Sequence, residues 1–158
     1  MAELPRVYLD SNCYIAILRE ERAFLDDLRR IIQEAEEGRL QIVASTLCIS
    51  EVVRPKSDPV IPRAESEEKI RRFFRPPHFL IRTHDRFIAE QGRDLCWDYK
   101  LHPRDAIHVA SAVDTGCRVL MTADEKVVKR CRRMKTPLPI EVKLPKWTGQ
   151  LTIEDFGG

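Results

Sequence analysis

The sequence predicts an α/β fold, a three-layer α/β/α sandwich around a central parallel sheet of about five strands. Short apolar runs bounded by turn residues alternate with longer stretches whose apolar residues recur at helical spacing. This alternation indicates βαβ units, whose right-handed crossovers place helices on both faces of a sheet. The length of 158 residues fits one domain that can bury a core without disulfides or a structural metal.

The strands and helices can be assigned in chain order. Apolar runs rich in β-branched residues predict the strands at residues 6–9, 40–44, 79–81, 118–121 and 138–142. Helical spacing and caps predict helices over residues 13–18, from Phe24 to Gly38, from Ser45 or Thr46 to before Pro55, around 70–74, over 84–99, from Pro103 to near Gly116, and over 124–133. The helix at residues 84–99 is expected to turn Phe87, Ile88, Gln91 and Leu95 inward.

The domain is expected to span residues 1–142. Residues 54–62 contain three prolines and predict a loop, and residues 143–158 lack a clear period and predict a C-terminal arm or tail. The 27 Lys and Arg residues nearly balance the 25 Asp and Glu residues, and the net charge of +2 neither requires nor excludes a polyanionic partner. No apolar run is long enough to span a membrane and no signal peptide is evident, so we expect a cytoplasmic protein without membrane association.

Four acidic residues are predicted to meet at one edge of the sheet. Parallel strands all end at the same edge, where the helices that follow them begin. Asp10 ends the first strand, and Asp124 follows the fourth. Glu51 lies about two turns into the helix after the second strand, and Asp105 lies in the first turn of the helix before the fourth. If the first and fourth strands are neighbours, the four carboxylates meet where the strand order reverses.

Each of these acids also has a structural explanation when it is taken singly. Asp105 and Asp124 are equally well placed to stabilise helix N-termini, and Glu51 interrupts an otherwise apolar helix. Their common predicted edge favours a functional site. Clustered carboxylates need a compensating cation, and oxygen ligands suit Mg²⁺ or Mn²⁺. The site therefore predicts metal-assisted phosphodiester hydrolysis.

Other polar residues near the same edge are candidates for supporting roles. Asn12 and Thr122 are expected to orient the acids or a bound water. The candidates for contacting RNA are Arg54, Lys56, Arg104 and Lys126. Lys126 begins a basic helical face, which could follow a phosphate backbone but which a solvated surface that complements the helix dipole explains better. His108, one turn after Asp105, could contact substrate or be a packed, hydrogen-bonded histidine.

Four motifs carry a resemblance to the PIN-domain family. They are LDSN at Asp10, SEVV at Glu51, HPRDAIHVASAV at Asp105 and LMTADEKV at Asp124. Within that family the chain resembles the VapC-type toxin endoribonucleases of toxin–antitoxin systems. The resemblance implies a Mg²⁺- or Mn²⁺-dependent endoribonuclease with these four acids as its pocket. It also implies an RNA substrate, a homodimer and an antitoxin partner. The family often has an aromatic residue shortly after the fourth acid, and this chain has Val127 and Val128 there.

Three alternative functions remain open from the residues. A phosphohydrolase of the haloacid-dehalogenase type would use Asp10 as its nucleophile, with Ser45, Thr46, Asp124 and Glu125 as partial matches, but it needs an aspartate where this chain has Asn12. A phospho-receiver module would accept phosphate on Asp85, but it needs an acidic pair near the first strand. A non-catalytic PIN fold that binds RNA or protein is disfavoured by the presence of all four acids.

Overall fold

A computed structural model of the chain describes residues 3–52, 63–75 and 77–147. The loop expected over residues 54–62, with the RNA-contact candidates Arg54 and Lys56, lies outside the described residues. So do residues 148–158 of the expected C-terminal arm. No helix of the described residues is long and apolar enough to cross a membrane.

The described residues form five strands and seven helices. The strands are β1 (Arg6–Leu9), β2 (Gln41–Ser45), β3 (Phe79–Arg82), β4 (Val119–Met121) and β5 (Glu141–Lys143). The helices are α1 (Ser11–Leu18), α2 (Leu25–Glu36), α3 (Thr46–Glu51), α4 (Arg63–Phe73), α5 (Arg86–Tyr99), α6 (Pro103–Asp114) and α7 (Glu125–Arg132).

All strands are parallel and stand in the order β3-β2-β1-β4-β5, which confirms the predicted fold class. The chain builds outward from β1 first through β2 to β3 and then through β4 to β5. Because right-handed crossovers in opposite directions place helices on opposite faces, this order produces three layers. It also makes β1 and β4 neighbours, with Val7 opposite Val119, so that their carboxyl ends lie side by side at the point where the order reverses.

The central strand β1 lies at the middle of the core. Val7, Tyr8 and Leu9 are fully buried, as expected of a parallel strand that is covered on both faces. The first residues of the expected C-terminal arm also contact the domain. Leu144 and Trp147 pack against the core, and the Trp147 backbone N–H donates to Asp27 Oδ1 at 2.7 Å.

Several helix ends differ from the predicted ones because caps and tertiary contacts decide them. Helix α1 begins at Ser11 because the Asp10 carboxylate caps it, and α5 begins at Arg86 because Asp85 caps it. Helix α3 ends at Glu51, since Val52 leaves helical geometry and is buried in the core. Glu51 is therefore the last residue of that helix.

Strand β5 begins at Glu141 and not at residue 138, so this prediction was wrong at its start. Pro139 has no N–H to donate to a neighbouring strand, which disfavours pairing of the residues before Glu141. Pairing starts where the Glu141 N–H donates to the Arg118 carbonyl at 3.0 Å.

The inward face predicted for α5 was partly wrong. Phe87 is 51% exposed and Gln91 is exposed, whereas Ile88 and Gly92 are buried. Helix α5 packs against α6 through Gly92, where an added Cβ would lie 2.8 Å from Ile107 Cδ1. Because Gly92 has no side chain, α5 can turn this face toward α6. An analysis of apolar spacing counts only hydrophobic side chains and so does not identify a glycine as part of the inward face.

Candidate functional site

A pocket of about 370 Å³ lies at the carboxyl edge of the sheet, where the strand order reverses. Its walls come from α1, α3, α6 and α7 and from the residues that cap α1, α6 and α7. The lining residues are Asp10, Ser11, Asn12, Glu51, His102, Arg104, Asp105, His108, Asp124, Val127 and Arg130. The structure thus brings the four acids singled out from the sequence into one pocket. Their catalytic and metal-binding roles stay predictions.

Asp10 is the most deeply placed of the four acids. It is 7% exposed, and its Oδ1 accepts from the Cys13 backbone N–H at 3.3 Å. Its backbone N–H donates to the Met121 carbonyl at 3.1 Å, which joins it to the end of β4. Burial raises the pKa of this carboxyl, and a hydrogen bond with Thr122 and the charge of His108 oppose the shift. No cation of the described residues forms an ion pair with Asp10.

Thr122 links Asp10 to Asp124. This fully buried hydroxyl hydrogen-bonds the Asp10 carboxylate and accepts from the Asp124 backbone N–H at 3.1 Å. Asp124 caps α7, and its Oδ1 accepts from the Lys126 N–H at 2.9 Å. The capping role considered for Asp124 is therefore real, and the same side chain also faces the pocket. Asn12 is exposed at the rim, and its side chain forms no hydrogen bond with another described residue.

Glu51 is engaged by three other side chains. Its Oε1 accepts from Ser11 Oγ at 2.7 Å and lies 2.7 Å from His108 Nε2, while its Oε2 pairs with Arg104. Arg104 and His108 are four residues apart on α6 and so lie on one helical face. Arg104 was expected to contact RNA. It faces the pocket, its side chain is 65% exposed, and its guanidinium is bound to Glu51.

His108 connects the pocket to the core. It is 6% exposed, and its Nδ1 lies 2.6 Å from Tyr8 Oη. With a proton on Nε2, His108 donates to Glu51 and accepts from the Tyr8 hydroxyl. Burial lowers the pKa of His108, but the hydrogen bond and charge of Cys48 and the charges of Asp10 and Asp105 outweigh it, so the pKa lies above its ordinary value. His108 is therefore both hydrogen-bonded and part of the pocket wall.

Asp105 has a weaker partner. Arg130 Nη1 lies 3.4 Å from Asp105 Oδ2, and both side chains are partly exposed. Lys126, the remaining candidate for RNA contact, is exposed and lines a second cleft beside the pocket. Two of the four acids are thus paired with cations of the chain, and two, Asp10 and Asp124, have no such partner among the described residues.

Sequence reasoning did not identify Tyr8 or Ser11 as part of this site. Tyr8 lies two residues before Asp10, and residues two apart on a strand point to the same face, so the alternation in β1 was an available signal. Ser11 immediately follows the acid and had no distinctive pattern.

The donor chemistry of the pocket fits a hard divalent cation. Carboxylate oxygens are its preferred ligands, and the buried charge of Asp10 lacks a compensating cation among the described residues. No three His, Cys, Asp or Glu side chains of the described residues form a ready metal-binding group. Asp10 and Asp124 could hold such a cation, joined by Asp105 once Arg130 moves away from it.

Comparisons with known proteins were made for the family, for curated sequences and for solved structures. The sequence profile described as the PIN domain matches residues 7–133. No curated protein matches the chain.

Three solved structures share the fold. VapBC2 from Rickettsia felis, bound to a DNA fragment from its promoter, is 12% identical with a TM-score of 0.62, covering 87% of this chain and 96% of that one. A toxin–antitoxin complex from Klebsiella pneumoniae is 23% identical with a TM-score of 0.52, covering 76% and 88%. PAE2754 from Pyrobaculum aerophilum is 15% identical with a TM-score of 0.54, covering 89% and 84%.

Proposed function

This chain belongs to the PIN domain family, and on that premise we propose that it is a divalent-metal-dependent endoribonuclease. The observation that carries the proposal is the position of Asp10. A buried carboxylate that forms no ion pair with a described residue lies at the point where the strand order reverses, and Thr122 holds it beside Asp124. This is where open parallel sheets bind ligands, and a cation is the ligand that compensates such a charge.

Each residue has a distinct role in this proposal. Asp10 and Asp124, with Asp105, would hold Mg²⁺ or Mn²⁺, and the ion would supply Lewis-acid activation of a water and charge neutralisation at the leaving oxygen. Thr122 would hold Asp10 and Asp124 side by side through hydrogen bonds to both residues, and Asn12 lies at the rim beside them.

Glu51, Arg104 and Arg130 act on the substrate side of the pocket. Glu51 fixes Arg104 and His108 in the wall, so that the exposed guanidinium of Arg104 can contact a backbone phosphate. Arg130 can do the same on the other side once it leaves Asp105.

The experiment uses a fluorescently labelled single-stranded RNA with Mn²⁺ or with EDTA. Cleavage is expected with Mn²⁺ only, and Asp10→Asn and Asp124→Asn are each expected to lower the rate more than 100-fold, as for groups that bind the catalytic ion. Circular dichroism checks that both variants fold. Asp26→Asn, which removes an exposed carboxylate on α2, is the charge-matched control. Full activity in both pocket variants would exclude the proposal.

A phosphohydrolase that uses Asp10 as nucleophile is the main alternative. It requires a carboxylate two residues after the first, and Asn12 occupies that position at the pocket rim. Incubation with a phosphomonoester, followed by acid quenching and mass spectrometry, separates the two functions. An acyl phosphate on Asp10 would identify the phosphohydrolase, and its absence together with RNA cleavage supports the nuclease.

We also propose that the protein is the toxin of a toxin–antitoxin pair, a cytoplasmic homodimer inhibited by a partner antitoxin. The support is the shared fold with VapBC2 from Rickettsia felis and with the toxin–antitoxin complex from Klebsiella pneumoniae. A reading frame for a small DNA-binding protein is expected beside this one, and its product should copurify with this chain and suppress cleavage. If no such neighbour exists, the protein is a nuclease without an antitoxin.

A further inference from the structure

A second cleft, of about 490 Å³, lies between the end of α5 and helix α7. It is lined by five cationic side chains and by no acidic one, together with Tyr99 and Met134. We call this cleft the basic groove, and its cations are Lys100, Lys126, Lys129, Arg130 and Arg133. The chain as a whole is nearly neutral, so this local concentration of charge is a feature of the surface and not of the composition.

The cations of the groove come from one face of α7 and from Lys100, the residue that ends α5. Lys126, Lys129, Arg130 and Arg133 recur at spacings that place them on a single helical face, spread over about 10 Å along the axis. Lys100 ends α5 in the left-handed conformation, with φ at 55°. Glycine would adopt this conformation with less strain, yet the position carries a cation that faces the groove.

These charges are not neutralised within the described part of the chain. Exposed arginines on other helices pair with acids one turn away, as Arg86 does with Glu90 and Arg72 with Glu68. In the groove only Arg130 forms an ion pair with a described residue, and its partner is Asp105 in the acidic pocket. A row of unpaired cations holds counterions in solution, and a phosphate backbone gains affinity by releasing them.

Arg130 lines both the acidic pocket and the basic groove, so the two are continuous. A strand whose scissile phosphate lies in the pocket must continue along the surface on at least one side. The groove offers phosphate partners along that path. This continuity with the pocket favours a nucleic acid strand over an acidic protein segment as the occupant.

We propose that the basic groove binds the backbone of the RNA strand on one side of the cleavage point, with Arg130 as the junction between groove and pocket. The proposal rests on the proposed function, because we interpret the groove as the continuation of a pocket that cleaves RNA. It assigns substrate contacts to Lys100, Lys129 and Arg133 in addition to Lys126 and Arg130.

The test measures binding of a 12-nucleotide single-stranded RNA in EDTA by fluorescence anisotropy, from 50 to 200 mM salt. The variant Lys129→Ala/Arg133→Ala is expected to lower the slope of log affinity against log salt by about 1.4, and to weaken binding roughly tenfold near 0.1 M. The matched control is Arg132→Ala, which removes a cation from the same last turn of α7 that lines a different cleft. Because the control removes one cation and the double variant two, a slope unchanged in the double variant, or lowered by about 0.7 in Arg132→Ala, would overturn the proposal.

A second measurement separates failure of the groove from failure of the nuclease assignment. With Mn²⁺, the double variant should lose a larger fraction of its cleavage rate on the 12-mer than on a trinucleotide, since the shorter strand can contact fewer of the groove cations; equal losses on both substrates would contradict the proposal. If the wild type cleaves neither RNA but the salt slopes differ as expected, the nuclease assignment fails and the groove remains an RNA-binding surface. If a poly-glutamate peptide binds the groove more tightly than the 12-mer does, the occupant is an acidic protein segment and the proposal is wrong.

Discussion

Asp10 lies where β1 gives way to α1, and its carboxylate is buried and forms no ion pair with a described residue. Burial raises its pKa, so its protonated form is favoured in the folded protein. A group whose pKa is raised by folding contributes stability below its ordinary pKa of about 3.9, and that contribution is lost as the pH rises through the folded value. At neutral pH in the absence of metal, the ionised Asp10 therefore destabilises the fold.

Asp10→Asn should accordingly increase the stability of the metal-free protein at pH 7. Asparagine keeps the capping role and carries no charge. In EDTA we expect a higher Tm for the variant, where about 1 kcal/mol corresponds to ~2–4 °C in a chain of this size. The difference should shrink as the pH falls toward 4, and Mn²⁺ should raise the Tm of the wild type only. A variant that is less stable at both pH values would contradict this.

Glu51 is expected to act through Arg104. Glu51→Gln removes the ion pair while keeping the size of the side chain, and Arg104→Ala removes the cation itself. If Glu51 only positions Arg104, each change should lower kcat/KM by about tenfold, and the double variant should lose no more than the worse single variant. Cleavage assays on all four proteins measure this coupling. Losses that multiply would instead give Glu51 a separate role, such as binding the metal.

The hydrogen bond between Tyr8 and His108 should contribute to stability. Tyr8→Phe removes the 2.6 Å partner of the buried His108 Nδ1 and leaves it only the weak contact with Cys48 Sγ at 3.8 Å, so a loss of about 1–3 kcal/mol is expected. Urea denaturation measures the loss. Tyr14→Phe is the matched control, because the Tyr14 hydroxyl is buried without a hydrogen-bond partner among the described residues. Removing that hydroxyl should be neutral or stabilising, and equal losses in both variants would argue against the network.

Sequence and topology were enough to bring the four acids to one edge, because three of them follow a strand or lie at the start of a helix and Glu51 ends the short helix that follows β2. The partners of those acids were not predictable in the same way. Glu51 and Arg104 are 53 residues apart, and their pairing depends on the rotamers of two long side chains from different helices. Patterns of hydrophobicity carry no information about such a contact.

At the scale of single elements, the contact between α5 and α6 holds Arg104, Asp105 and His108 at the pocket. Gly92 allows this approach, and a Cβ there would crowd Ile107 Cδ1 at 2.8 Å. Helix position was predictable from apolar spacing, but the face of α5 that turns inward was not, because the closest contact is made by a residue without a side chain.

A double-mutant cycle tests this contact. Gly92→Ala alone gains helix propensity of about 1 kcal/mol but forces Ile107 to move, so a small net change in the free energy of unfolding is expected. In the background of Ile107→Val, which lacks Cδ1, Gly92→Ala should stabilise by about 1 kcal/mol. Urea denaturation of the four proteins gives the coupling. Identical effects of Gly92→Ala in both backgrounds would show that the helices do not meet as described.

At the scale of the whole molecule, the strand order explains why acids distant in sequence share a pocket. The parallel sheet and its reversal at β1 were predictable, since alternating strands and helices leave few topologies. The start of β5 was not, because Pro139 removes a donor from a run that is otherwise apolar. Apolar patterns predict that a strand or helix is present, but they do not predict its first residue where backbone hydrogen-bond donors and capping side chains determine that residue.

The ion pair between Asp105 and Arg130 has a consequence for how the protein would bind the proposed Mg²⁺ or Mn²⁺. Half of the pocket's carboxylates already carry counter-charges supplied by the chain, so the fold is not expected to need metal. EDTA should abolish cleavage while leaving the far-ultraviolet circular dichroism unchanged, whereas a collapse of the spectrum would show a structural metal. In the proposed mechanism, uptake would exchange the Arg130 guanidinium at Asp105 for the divalent ion, and the guanidinium would stay tethered beside the pocket. We therefore expect metal binding to be reversible, because the tethered guanidinium can return to Asp105.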